Sequence, residues 1–196
     1  MVKTVRRLKL RKTRKNCVSK QFQFSKTTSI DETFRRKCFF RKYGGSISEH
    51  AIYKILKENP HPNIVKVYRI TDRYVDIEML TPISGEKDYD KQTLISSALE
   101  SKKHLQKLGI MYIDWKSDNI GIGDDGKYKL FDFDASGITT SNSRKWRIRP
   151  SPYWSYKQAF LNGVKNPKKI DDFAFDINFN RFDYVELDDK DIPLIF

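Results

Sequence analysis

Apolar positions recur at helical spacing in two stretches of the chain. Ile47, Ala51, Ile52, Ile55 and Leu56 follow Ser46 and Ser48, either of which can cap a helix, and predict one running to about Lys57. Leu94, Ile95, Ala98, Leu99 and Leu105 predict the clearest helix, over residues 91–108, with Gly109 as its stop. Between them, Asn59-Pro60-His61-Pro62-Asn63 reads as a turn, and residues 64–71 and 74–80 are β-rich and joined by Asp72-Arg73 as a hairpin. Upstream, Val18, Phe22 and Phe24 suggest a short strand, and 33–43 a second one broken by Gly44-Gly45. Residues 81–90 and 138–150 read as loops, 156–161 as a helix and 170–179 as a further apolar stretch before an acidic end.

The segment 110–137 organises the rest. Apolar runs flank Asp114 and Asp132, and Asp125-Gly126 supplies a tight-turn signal between them, so the segment reads as a strand–loop–strand hairpin with polar groups beside a cleft. Asn119 follows Asp114 by five residues and Asp132 follows it by eighteen. One group to orient a hydroxyl and two to hold metal ions is the set that phosphoryl transfer needs.

Composition narrows the class. At 196 residues with 13 Phe and 10 Tyr the chain is long and aromatic enough to bury a substantial core, as one domain or one domain with a tail. No apolar run approaches the ~18 residues of a membrane span, and the basic start does not resemble a secretory signal, so a non-secreted protein is expected. Cys17 and Cys38 suggest neither a disulfide framework nor a metal knuckle. His50, His61 and His104 have no metal-like spacing.

Charge is placed unevenly. Residues 1–42 hold fifteen Lys and Arg against Asp31 and Glu32, so they carry the whole net charge of +13 and the remainder is neutral. The run Arg6-Arg7-Leu8-Lys9-Leu10-Arg11-Lys12-Thr13-Arg14-Lys15 reads as a flexible arm that could hold nucleic acid, an acidic protein or anionic lipid, or serve as a nuclear-localisation signal. A solvated tail that aids solubility is the plainer alternative.

Tyr112-Ile113-Asp114-Trp115-Lys116-Ser117-Asp118-Asn119 resembles the catalytic loop H-R-D-L-x-x-x-N of protein kinases, and Asp132-Phe133-Asp134 resembles their D-F-G. In family order, His61-Pro62-Asn63-Ile64-Val65 looks like the turn between first helix and fourth strand, and Asp76-Ile77-Glu78-Met79-Leu80 like the hinge. Asp171-Asp172-Phe173-Ala174-Phe175-Asp176 is similar to the D-x-W-x-x-G of the buried helix. The likeness covers about residues 34–180, and the short, divergent kinases of large DNA viruses are closest in character. It implies an α+β, protein-kinase-like fold: a basic arm (1–16), a reduced β-rich N-lobe (17–80) and a truncated helical C-lobe (81–196).

The resemblance implies ATP and Mg²⁺ as cofactors, a protein substrate phosphorylated on Ser/Thr, and a site in the cytoplasm or nucleus of a host cell or in a virion. Asp114 would orient and deprotonate the hydroxyl, Lys116 would neutralise the γ-phosphoryl, and Asn119 and Asp132 would hold Mg²⁺. Glu78 and Leu80 would offer backbone groups to adenine. Glu49 would pair with a strand lysine on the phosphates, either Lys37, twelve residues before it, or Lys42, seven before it. Lys37 is favoured, because seven residues leave little chain for a turn and half a helix. With Lys37, Arg35 would roof the adenine where a small residue is usual, and Gly121 would floor it where leucine is usual.

Other departures set up rival readings. No G-x-G-x-x-G precedes the lysine strand, Ile113 replaces the catalytic-loop arginine, and Asp134 and Asp176 replace glycines. A pseudokinase that binds a protein partner, a basic nucleic-acid-associated virion protein on a kinase scaffold, and a small-molecule kinase all remain open. The plainer reading of Glu49 is an exposed acid favoured by a helix N-terminus, and that of Lys116 a surface lysine. Tyr53, Tyr112 and Phe133 match an internal apolar stack.

Overall fold

The structure is a computed structural model that describes residues 39–83, 89–142, 144–151 and 153–179. The described residues form a mixed α/β arrangement with three small antiparallel sheets. The basic arm, the 18–24 strand, both cysteines and Lys37 lie outside the described residues.

The first sheet joins β1 (Phe39–Tyr43), β2 (Val67–Ile70) and β3 (Tyr74–Glu78) in the order β1-β3-β2. Its hairpin turns at Asp72-Arg73, where the Thr71 hydroxyl accepts from the Tyr74 N–H and donates to the Tyr74 carbonyl. Side chains alternate across β1 as a pleated strand requires. Arg41 turns to one face, where its guanidinium grips Asp76 through two hydrogen bonds of 2.5 and 2.7 Å and lies 3.9 Å from the Tyr74 ring centroid. Both partners are almost fully buried, at 2% and 0% exposure. A bidentate, ring-stacked pair is the arrangement in which burying two charges costs least.

Helix α1 (Ile47–Glu58) starts at Ser46, whose hydroxyl accepts from the Glu49 N–H at 3.1 Å. Its inward positions Ile52, Tyr53 and Leu56 enter the core. Helix α2 (Lys91–Lys107) is capped by Asp90, which accepts from the Gln92 and Thr93 N–H groups, and it ends before Gly109 at φ +74°. Leu94, Ala98 and Leu105 form its buried stripe.

The segment 110–137 is not a single hairpin. Strand β5 (Ile110–Met111) pairs with β8 (Gly137–Thr139), and β9 (Trp146–Ile148) completes that sheet in the order β5-β8-β9. Nested within it, β6 (Ile120–Ile122) and β7 (Tyr128–Leu130) form the true hairpin around Asp124-Asp125-Gly126, with Gly126 at φ +74°. Two segments that read as loops contain strands. β4 (Thr81–Pro82) pairs with Gly121 and Ile122, and β9 lies in the polar 138–150 stretch, where Trp146 and Ile148 pack against the core. Both strands are too short to leave a period-2 signal.

Helices α3 (Trp154–Leu161) and α4 (Pro167–Phe179) close the chain's described part, and α4 buries Ile170, Asp171, Ala174 and Phe175 beneath β5. Among the described residues, no helix is long and apolar enough to cross a membrane.

Candidate active site

Lys42, near the end of β1, is the lysine that meets Glu49. Its Nζ lies 2.6 Å from Glu49 Oε1 and 2.6 Å from Asp132 Oδ1, joining strand, helix and the segment after β7 at one point. The sequence spacing favours Lys37 for this contact, yet the seven residues from Lys42 suffice because the connection is unusually tight. Gly44 and Gly45 both have positive φ, and a Cβ on Gly45 would stand 2.5 Å from Glu49 Oε2. The glycines thus turn the chain at once into the helix cap, and Glu49 falls in the first turn.

Burial works against the Lys42 charge, but the hydrogen bonds and fields of Asp132 and Glu49 outweigh it and hold the ammonium above the ordinary lysine range. Burial likewise lifts Glu49 above the ordinary glutamate range, and Lys42 offsets this only in part. Glu49, 1% exposed, is therefore no solvated helix-start acid.

Asp114 follows β5. Its carboxylate lies 2.8 Å from Lys116 Nζ and accepts at 2.8 Å from Asn119 Nδ2, which also donates to the Asp114 carbonyl at 2.9 Å. That bonding leaves the Asn119 amide oxygen for another partner. The loop is pinned from below by Asp171 of α4. Asp171 Oδ1 accepts from the Tyr112 and Ile113 N–H groups at 3.0 Å each and from Trp115 Nε1 at 2.8 Å, while Gln106 Nε2 donates to Oδ2 at 2.8 Å. The anchoring holds strain: Ile113 and Asp132 are the two non-glycine residues with positive φ among those described, at 69° and 61°. A β-branched residue in that region costs on the order of 1–3 kcal/mol and persists where neighbours dictate it.

An aromatic stack runs behind the site, with Tyr53 5.5 Å and Tyr112 5.3 Å from the Phe133 ring centroid, both edge-on. The Tyr112 hydroxyl donates to the Phe131 carbonyl at 2.5 Å, tying the loop of Asp114 to the segment of Asp132. Glu78 is held by its side chain, 2.7 Å from Lys129 Nζ and accepting from the Lys66 N–H at 3.2 Å. Leu80 lies against Gly121, where a Cβ would stand 2.7 Å from its own Cβ. Phe40, Ile77, Glu78, Met79, Leu80, Pro82 and Phe131 line a cavity of about 140 Å³.

Sequence reasoning did not single out Phe40, two residues before Lys42 and so on the same face of β1. It also missed the bond at 3.1 Å from the Tyr153 hydroxyl to Asp134. The first could have been found only by settling which lysine pairs with Glu49; the second had no local signal.

No protein-family model matches the chain. It is similar to serine/threonine protein kinases. The cGMP-dependent protein kinase 2 of Rattus norvegicus is 28% identical over 146 residues, covering 66% of this chain and 19% of that protein. The serine/threonine-protein kinase PAK 1 of Mus musculus is 28% identical over 127 residues, covering 58% of this chain and 23% of that protein. The serine/threonine-protein kinase PAK mbt of Drosophila melanogaster is 26% identical over 113 residues, covering 51% and 18%. The chain spans about a fifth of the length of these curated relatives.

Proposed function

We propose that the protein is an ATP-dependent kinase that transfers the γ-phosphoryl group to Ser/Thr hydroxyls of a protein substrate. The observation that carries this reading is the Lys42 ammonium shared between Glu49 and Asp132, with the Asp114–Asn119 pair in the adjoining loop. A lysine held charged by two carboxylates is preset to receive phosphate oxygens. Asp114 can orient a hydroxyl and take its proton.

The donors fit Mg²⁺. Asp132 contributes a carboxylate and Asn119 an amide oxygen, both hard ligands, and Mg²⁺ typically uses one or two such groups together with substrate phosphates. The bound Mg·ATP would supply the phosphoryl group and the charge neutralisation around it. Lys116, 2.8 Å from Asp114, is placed to balance the negative charge that builds beside that carboxylate. The hinge reading puts the base beside Glu78 and Leu80, in the cavity lined by Phe40. The basic arm would add a nucleic-acid or acidic partner, or direct the protein within the cytoplasm or nucleus of a host cell, or in a virion.

A second reading, a partner-binding protein without catalysis, is favoured by Phe40. A cavity of about 140 Å³ is well below the ~300 Å³ at which small-molecule sites begin, and this ring narrows it. Phe40→Ala is expected to tighten Mg·ATP binding about tenfold, or ~1.4 kcal/mol, read by calorimetric titration. Unchanged or weaker binding would mean that the ring does not obstruct the base.

The kinase reading is tested with purified full-length protein, labelled ATP·Mg²⁺ and a general protein substrate such as casein. Transfer is expected, together with a Mg·ATP-dependent rise in melting temperature, and both should disappear in Lys42→Met. Transfer absent alongside a normal nucleotide shift would favour the non-catalytic reading; absence of both would end the kinase reading.

A further inference from the structure

Strand β9 is at one edge of the β5-β8-β9 sheet among the described residues. Trp146 and Ile148 are half-buried and pack on the core, and a Cβ on Gly137 would stand 2.6 Å from Trp146 Cζ3, so the strand is tightly seated. The intervening and flanking Arg144, Lys145, Arg147 and Arg149 are exposed. Among the described residues none of these four joins an ion pair. The acids of the cleft, in contrast, are each occupied: Asp114 by Lys116, Asp132 by Lys42, and Asp134 by the Tyr153 hydroxyl. Among the described residues, the stripe is thus positive charge that no ion pair balances.

Its direction is given by register. Ile148 pairs with Ile138, which pairs with Ile110, and Gly137 pairs with Met111. Arg149 therefore lies at the level of Gly137 and Met111, three residues before Asp114, and Arg147 lies further out. Beyond Arg149 the chain reaches Tyr153, whose hydroxyl touches Asp134. Among the described residues, a cationic row on an edge strand leads toward the cleft.

We propose that β9 is the substrate-docking edge and that the substrate is an acidic polypeptide segment, lying extended along it with Asp, Glu or phosphorylated side chains facing the row. The proposal rests on the kinase reading for the acceptor hydroxyl and on β9 alone for docking. Alternate residues of an extended chain repeat every ~6.7 Å, so acids at every second position of the substrate meet Arg147 and Arg149 together. An open edge supplies backbone partners for such a strand, and the charges supply its selectivity.

The test uses two fluorescein-labelled serine peptides, one with Glu at alternate positions and one with Lys there, and full-length protein, read by anisotropy. The acidic peptide is expected to bind and the basic one not. Arg147→Glu combined with Arg149→Glu should weaken acidic-peptide binding on the order of tenfold and gain the Lys peptide, an inversion that a misfolded variant cannot produce. Reversing charge in the arm, with Arg11→Glu and Arg14→Glu, should leave both results unchanged. Equal binding of the two peptides would overturn the proposal, as would loss in the arm variant alone. Displacement of the peptide by a single-stranded oligonucleotide through the same two arginines would also overturn it, in favour of nucleic acid. Because anisotropy needs no turnover, an inactive protein that shows the inversion would sink only the kinase reading, and an active one without acidic preference only the docking proposal.

Discussion

Asp114→Asn is expected to lower phosphotransfer by about 10²–10⁴-fold while leaving Mg·ATP binding intact. The substitution keeps size and shape, so Asn119 retains its bond to the Asp114 carbonyl at 2.9 Å and the loop keeps its Asp171 anchor. It removes the charge that Lys116 balances at 2.8 Å and the basicity that would take a hydroxyl proton. The proposed phosphate-binding cluster is a different one, Lys42 with Glu49 and Asp132, and among the described residues no hydrogen bond or ion pair joins it directly to Asp114. Rates with casein and a Mg·ATP thermal shift separate the two effects. Full activity in the variant would remove Asp114 from the chemistry. Loss of the thermal shift as well would assign it to holding the cleft together.

That the Asp114–Asn119 pairing was legible in the sequence and the Lys42–Glu49 contact was not has a physical basis. Asp114, Asn119, Asp132 and Asp171 sit in or beside short apolar runs that must be buried, and their spacing is set by two loops and one helix turn. Their local patterns therefore carry their geometry. The Lys42–Glu49 contact depends instead on how sharply Gly44-Gly45 turns the chain, and two positive-φ glycines compress into seven residues what a generic turn would not. A misplaced lysine shifts the whole strand register, and so the residue two before it is Phe40 rather than Arg35. The helices were readable because Ser46 and Asp90 cap them and their stripes repeat. Strands β4 and β9, at two and three residues, are defined by their partners rather than by any pattern of their own. The nesting of β6–β7 inside β5–β8 had the same origin, since a hairpin signal at Asp125-Gly126 says nothing of which outer strands meet.

Asp171→Ala is expected to have the largest effect on stability. Asp171 is fully buried and accepts four hydrogen bonds, three of them on one carboxylate oxygen. Burial lifts its carboxyl above the ordinary range, against the opposing pull of Gln106, the Ile113 N–H and Trp115. The carboxylate is thus kept in place at some electrostatic expense by the donors around it. Truncation to alanine would leave the Tyr112 N–H, the Ile113 N–H and the Trp115 indole N–H without an acceptor in a core that includes Phe175 and Phe179. Each buried, unmet donor costs about 1–3 kcal/mol, and partial relaxation brings the expected total to roughly 3–5 kcal/mol. For a chain of this size that lowers the melting temperature by on the order of 10 °C. Asp171→Asn should cost less, because its amide oxygen can still accept from the loop and only the Gln106 contact must turn over. The alanine variant should also lose phosphotransfer beyond what residual folding accounts for, since the loop would lose the anchor that holds the Tyr112 and Ile113 N–H groups beside Asp114. Urea unfolding of both variants, with activity measured well below the transition, reads out each part. An alanine variant within ~0.5 kcal/mol of the parent, the ordinary range for surface substitutions, would mean that the loop does not depend on this anchor.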